Sequence, residues 1–412
     1  MKTRKLVSVF CAAALSVLSL TACGNDRQNS GSISSDTGIS GISNESSSKE
    51  SSSNKETNDM NNGTTYKPTE ENVKLLGRTY FDTDRLYCAL SGTGIEFTFT
   101  GTKCSIIVAG DNNSDDGKDE NHARVGIYVN GERVIDDMVD NKEEVYNVFE
   151  SDTPQEVTVS LVKLSESPMS TIAITDIKVE GSAIKPTADK DKLIEFIGDS
   201  ITCGYGADAP NRNQKFSTKT EDVTKAYAYK TAQALDADYS MVSFSGYGII
   251  SGYSDGEKKE TSQQVPKYYT KLGYSWASNG DFKPSQIEWD FGKRQPDIIV
   301  INLGTNDDSY TKNIKERQEE YCAAYTEFLK TVRANNPDAK IVCTLGIMGG
   351  RLFEYVQKAV DDYTAETGDS NVSTMKFDEQ QASDGYSADW HPSVKTHDKA
   401  AQKLADYLKT LI

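Results

Sequence analysis

Phe196-Ile197-Gly198-Asp199-Ser200-Ile201-Thr202 places a serine hydroxyl directly after the short apolar run 193–197, where a buried strand would end in a glycine turn. A serine alcohol is a poor nucleophile at neutral pH. Acyl transfer therefore needs an imidazole to take its proton and N–H donors to hold the oxyanion that forms. Working outward, Asn302-Leu303-Gly304-Thr305-Asn306-Asp307 closes a second apolar run and offers a side-chain amide, and Asp389-Trp390-His391-Pro392 near the chain end offers an imidazole. The three stretches follow one another in the order nucleophile, amide, base.

The surroundings of that stretch have the grammar of an α/β domain. Short apolar segments at 193–197, 239–244, 298–302 and 340–345 predict buried parallel strands, and 226–235, 314–334, 352–366 and 394–411 predict helices between them. Several of the strands run into Gly or Asn and a polar loop, which puts Ser200, Ser245-Gly246 and Gly304-Thr305-Asn306 at carboxyl ends, where open α/β sheets bind ligands. An α/β/α layer structure carrying the chemistry is expected from residue 186 onward.

Upstream the period changes. Ile95-Glu96-Phe97-Thr98-Phe99-Thr100 alternates apolar and polar residues, as a half-buried strand does. Asn130-Gly131 separates two such runs and suits a two-residue type I′ hairpin turn, in which both positions take positive φ. An antiparallel β-sandwich over 71–185 is expected.

With these motifs in place, the chain resembles the SGNH (GDSL-like) hydrolase superfamily, and more closely the family-2 carbohydrate esterases. Gly198-Asp199-Ser200-Ile201, Ser245-Gly246, Gly304-Thr305-Asn306-Asp307 and Asp389-Trp390-His391-Pro392 look like its four blocks, and the domain order agrees from about residue 74 to the end. The resemblance implies a jelly-roll-like sandwich followed by a three-layer SGNH domain with a flavodoxin-like parallel sheet over 186–412. It implies Ser200 as nucleophile, His391 as general base and Asp389 as the residue orienting it, with an oxyanion hole from the backbone amides of Ser200 and Gly246 and the side chain of Asn306. Many SGNH enzymes space acid and base as Asp-x-x-His, whereas here Asp389 stands two positions before His391 and Ala388 three. A Ser–His pair supported by a backbone carbonyl is therefore the alternative to a triad. Trp390 could face a sugar or fill the core, and Tyr205 and Tyr247, then Trp276 and Trp289, are further substrate-binding candidates. His391 is expected to become basic near its ordinary pKa of about 6.5, so activity should fall in acid.

The balance of 62 Asp+Glu against 45 Lys+Arg over 412 residues gives a formal net charge of -17, which repels phosphate backbones and argues against nucleic acid as a partner. Lys2, Arg4 and Lys5, then an apolar run to Leu20, then Leu20-Thr21-Ala22-Cys23 read as a signal segment with a lipobox. Residues 1–23 are thus expected to direct export and to leave a lipid on Cys23, making an exported, membrane-anchored surface lipoprotein. Residues 24–70, rich in Ser and Asn, read as a flexible tether with a reach of about 35 Å.

Cys88, Cys104, Cys203, Cys322 and Cys343 are too scattered for a disulfide framework, so buried free thiols are expected, with a Cys88 to Cys104 bridge as the alternative. The loop 111–117 resembles a calcium loop with its glycine misplaced by one position and reads as a solvated turn. No metal ligand set emerges and no cofactor is implied. The activity to expect is removal of acetyl groups from carbohydrate, with acetylated xylan and mannan as the substrates the resemblance suggests. Deacetylation of envelope glycan, esterolysis of a lipid, and carbohydrate binding without catalysis are the alternatives.

Overall fold

Alternating apolar and polar residues turn the first part of the chain into antiparallel sheet. In the computed structural model, which describes residues 63–114 and 121–411, its strands are Thr64–Tyr66 (β1), Lys74–Leu76 (β2), Thr79–Asp82 (β3), Arg85–Cys88 (β4), Gly94–Gly110 (β5), Ala123–Val129 (β6), Glu132–Val139 (β7), Glu143–Lys163 (β8), Ile172–Gly181 (β9) and Lys185–Pro186 (β10). They lie in the order β3-β4-β9-β5-β8-β6-β7, with β1 on β9 and both β2 and β10 on β5. The long pair β5 and β8 shifts register between Gly101 and Lys103 and again between Cys104 and Ser105. Such bulges bend a sheet. Ile95, Phe97, Phe99, Ile106, Val108, Val157, Val159 and Leu161 share the enclosed core. At the expected hairpin, Asn130 has φ 53° and Gly131 φ 83°, as a type I′ turn requires.

The tether expected to run to residue 70 ends earlier among the described residues. Thr64, Thr65 and Tyr66 pair with Val179, Lys178 and Ile177, and Tyr66 packs against the sandwich core. Pairing of the backbone and burial of one aromatic ring hold this segment despite its polar neighbours. The signal segment, Cys23 and residues 24–62 lie outside the described residues. So do residues 115–117 of the acidic loop. Within 111–114, the Asp111 carboxylate accepts the amides of Asn113 (2.9 Å) and Thr171 (2.6 Å), a turn locked onto the sandwich.

The second part alternates strands with helices: Leu193–Gly198 (β11), Asp238–Ser243 (β12), Ile298–Asn302 (β13), Lys340–Leu345 (β14) and Val372–Lys376 (β15) form a parallel sheet in the order β12-β11-β13-β14-β15. Ile194, Phe196, Met241 and Val300 face one layer, with Tyr227–Ala234 (α2) and Val394–Leu408 (α6). Ile197, Val242, Ile299 and Ile301 face the other, with Lys315–Asn335 (α4) and Phe353–Thr367 (α5). Two short helices, Ser200–Cys203 (α1) and Thr305–Thr311 (α3), open directly after β11 and β13. Strand β15 was not expected: Val372-Ser373-Thr374-Met375-Lys376 is an edge strand with little apolar signal.

Paired charges join the two parts. Arg78 donates in bidentate fashion to Glu195 on β11 and is almost fully buried, Lys74 reaches Asp238 on β12 at 2.6 Å, and Arg124 meets Asp208 at 2.8 Å. Val162 and Leu164 of the sandwich share a core with Phe196 and Met241 of the sheet. The order of β11, with β12 on one side and β13 on the other, makes a topological switch point, and the crevice above it is where the site forms.

Candidate active site

Ser200 begins α1, so its N–H has no intrahelical acceptor. The preceding Asp199 caps the helix, its carboxylate accepting the Ile201 amide at 3.0 Å. Burial, with the nearby Asp307 as a lesser cause, pushes the Asp199 carboxyl up to about 7. The strand, the tight cap and the helix start leave the Ser200 side chain little freedom.

His391 meets Ser200 across 191 residues of sequence, with its Nε2 2.8 Å from the serine Oγ. Its Nδ1 lies 3.1 Å from the carbonyl oxygen of Ala388. A carbonyl carries no hydrogen, so Nδ1 bears the proton and Nε2 keeps the lone pair that a base needs. The same Ala388 oxygen also accepts the His391 backbone amide at 2.9 Å. Burial drives the imidazole pKa down to about 4, against the smaller opposing pulls of Ala388 and Asp389, so the expectation of a transition near 6.5 is corrected downward.

Asp389 does not orient the imidazole, which corrects the triad assignment. Its carboxylate accepts the Tyr205 hydroxyl at 2.9 Å, the Phe216 amide at 3.1 Å and the Lys215 ammonium at 3.1 Å. The reason is local geometry: Asp389 and Trp390 take φ of 46° and 68°, a pair of left-handed residues that turns the Asp389 side chain away from the ring that follows. The backbone carbonyl alternative is the one realised.

Two of the aromatic assignments are also corrected. Tyr247 is only 2 % exposed, packed against Phe244, Tyr268 and Tyr274, and cannot touch a bound sugar. Tyr205 stacks on the His391 ring at 3.9 Å between centroids, and its hydroxyl is spent on Asp389, so it seats the base. Trp390 does lie at the surface beside the base, with the Arg212 guanidinium 4.0 Å over its ring and Tyr386 against it. Trp276 is exposed, whereas Trp289 is half-buried over Arg78.

The other wall is the loop after β12. Gly246 has φ 81°, which a side chain would resist, and among the described residues no acceptor meets its N–H. Asn306, on α3, donates Nδ2 to the Tyr247 carbonyl at 2.8 Å and lies 3.4 Å from the Asp199 carboxylate. One of its amide hydrogens is thus fixed and the other only weakly engaged. Asp307 accepts the amides of Ile249 (2.9 Å), Ile250 (2.7 Å) and Ser251 (3.1 Å), and burial still pushes its carboxyl up to about 6. A Cβ at Gly248 would come within 2.5 Å of that carboxylate, so only glycine lets the loop fold over it.

Sequence reasoning quoted Asp307 inside a motif without giving it a role, and it missed Glu166 altogether, whose Oε2 accepts the Ser245 amide at 2.7 Å. No spacing signal links Glu166 to Ser245, because they come from different parts of the chain. Cys88, Cys104, Cys203, Cys322 and Cys343 are buried free thiols.

Residues 196–399 match the GDSL-like lipase/acylhydrolase family and residues 75–187 match the carbohydrate esterase 2 N-terminal domain. The chain is 31 % identical over 351 residues to the cellulase/esterase CelE of Acetivibrio thermocellus, covering 83 % of this chain but only 40 % of that protein. It is 30 % identical over 292 residues to an acetylxylan esterase / glucomannan deacetylase of Cellvibrio japonicus, covering 67 % of this chain and 76 % of that one. The structure of an acetyl xylan esterase from the rumen bacterium Butyrivibrio proteoclasticus superposes with a TM-score of 0.75 at 25 % identity, over 84 % of this chain and 98 % of that one.

Proposed function

This chain belongs to the GDSL-like acylhydrolases in their carbohydrate esterase 2 form, and from that premise we propose that it removes O-acetyl groups from plant polysaccharide through an acetyl-enzyme. The observation that carries the reading is the 2.8 Å contact from His391 Nε2 to Ser200 Oγ, with the Ser200 amide at the open start of α1 and, among the described residues, no acceptor for the Gly246 amide. Ser200 Oγ attacks the acetyl carbonyl as His391 takes its proton. The oxyanion is received by the amides of Ser200 and Gly246 and by the loosely held hydrogen of Asn306 Nδ2. The imidazolium, held by the Ala388 carbonyl, returns the proton to the departing sugar oxygen. Water, activated by the same imidazole, then releases acetate and restores the serine.

The relatives named as acetylxylan esterase and glucomannan deacetylase support xylan and glucomannan as substrates, and exposed Trp390 beside the base supports a saccharide ring there. The lipobox-like Leu20-Thr21-Ala22-Cys23 supports an exported protein tethered through Cys23, within reach of polymer outside the cell. The test is acetate release from acetylated xylan, acetylated glucomannan, O-acetylated peptidoglycan and phospholipid. The two plant polymers should be deacetylated, and Ser200→Ala should lower turnover on them on the order of 10⁴-fold or more. Parent-like rates from Ser200→Ala, or acetate from peptidoglycan alone, would end the proposal.

A further inference from the structure

Glu166 is an acidic side chain with no exposure, in the loop that joins β8 to β9 of the sandwich. Its Oε2 accepts the amide of Ser245 at 2.7 Å, one residue before Gly246. The same oxygen lies 3.7 Å from the Cys203 thiol, the last residue of the helix that Ser200 begins. One carboxylate from the first domain therefore touches both the residue before Gly246 and the helix that Ser200 begins.

The backbone that carries this carboxylate is itself held. The Glu166 backbone amide donates to Glu221 Oε2 at 2.8 Å, and its carbonyl accepts the Lys163 ammonium at 3.1 Å, with a second Lys163 bond to Ser165 O at 2.6 Å. Glu221 and Lys163 have no exposure either. Retaining acids here is costly: burial pushes both carboxyls upward, with Glu166 adding to the effect on Glu221, and one oxygen of each has no hydrogen-bond partner. The bonds that offset this cost are the ones the two carboxylates accept, from the amides of Ser245 and Glu166.

We propose that Glu166 is a positioning residue by which the N-terminal sandwich sets the oxyanion hole, holding the Ser245-Gly246 backbone and the Ser200–Cys203 helix at one fixed separation. The inference rests on the esterase reading above. It makes the sandwich part of the catalytic apparatus, since the acceptor that orients the second oxyanion donor belongs to another domain. The donors must sit within a few tenths of an ångström of where the oxyanion forms, so losing the clamp weakens the transition state more than the bound ester.

The experiment compares Glu166→Ala and Glu166→Gln with the parent full-length protein, using nitrophenyl acetate kinetics, thermal melting and amide hydrogen exchange over 243–252. Gln keeps an acceptor for the Ser245 amide and Ala does not. In the folded Ala variant, kcat should fall about 100-fold with KM within about threefold, and exchange at 243–252 should speed up. Gln should recover kcat to within about fivefold and restore protection. A folded Ala variant with kcat within threefold of the parent, equal losses in Ala and Gln, or unchanged exchange would each overturn the clamp. The exchange measurement needs no turnover, so if the parent proves inactive the esterase reading falls while the clamp is still judged. If Ala fails to fold, Gln decides: parent-like kcat and protection support the clamp, and a 100-fold loss overturns it.

Discussion

The two walls of the catalytic crevice face the same serine but are held by opposite means. The loop 245–252 is gripped from within by buried carboxylates that accept backbone amides, Asp307 taking three and Glu166 one. The turn 388–391 is gripped from outside, by a largely buried Asp389 shared between Tyr205, Phe216 and Lys215, and by one carbonyl beneath the imidazole. Charge stabilisation requires donors that do not move, which buried acceptors secure. A base needs only its tautomer and its distance fixed, and a carbonyl with a stacked ring is enough.

If that contrast is right, disturbing the buried wall should be the more damaging. Asn306→Ala removes the side-chain donor and also the bond that ties α3 to the Tyr247 carbonyl. Turnover should drop by about 100- to 1000-fold with KM little changed. A loss below fivefold in a folded variant would take Asn306 out of the oxyanion hole and leave the two backbone amides to do its work.

Acid should separate the walls next. A base whose pKa is lowered from 6.5 to about 4 stays neutral, and so competent, until the pH falls through the lower value. Activity at pH 5 should therefore stay within about fivefold of that at pH 7, whereas a pKa of 6.5 would cost about 25-fold. Asp199, near 7, and Asp307, near 6, protonate on the way and each keeps a neutral oxygen able to accept, so any shallow step there reports the buried carboxyls while the steep limb reports His391. A single steep limb at 6.5 would show that solvent reaches the imidazole freely and that the base side is looser than its contacts.

What could be read from the chain alone follows the same division. Ser200, Gly246 and Asn306 were legible because each sits where an apolar run meets a glycine or polar loop, a signal local in sequence. Strands β11, β13 and β14 announced themselves through Ile, Val and Leu, while β15, with Ser, Thr and Lys in a five-residue edge strand, did not. Glu166 was invisible because its partner lies 79 residues away in another domain. Tyr205 and Tyr247 were misread because an aromatic near a motif has no sequence mark that separates lining a cleft from packing beneath it. Tyr247 fills the core, and Tyr205 lies against the base.

The smallest expected effect is the most discriminating. In a true triad, replacing the acid by its amide leaves the imidazole in the wrong tautomer and costs about 10⁴-fold. Here the Ala388 carbonyl sets the tautomer, and Asp389→Asn keeps the one oxygen that accepts both the Tyr205 hydroxyl and the Phe216 amide while losing the Lys215 ion pair, an exposed contact of little worth. The variant should therefore retain activity to within about tenfold. Its acid limb should move slightly lower, because the nearby negative charge that favours the imidazolium is gone. A loss of 10³-fold or more would mean that Asp389 turns to His391 during the reaction and that the outer wall is rebuilt as a triad when substrate binds. Retention would show that a carbonyl beneath the ring is sufficient, and that the aspartate beside the base serves to hold a strained turn in shape.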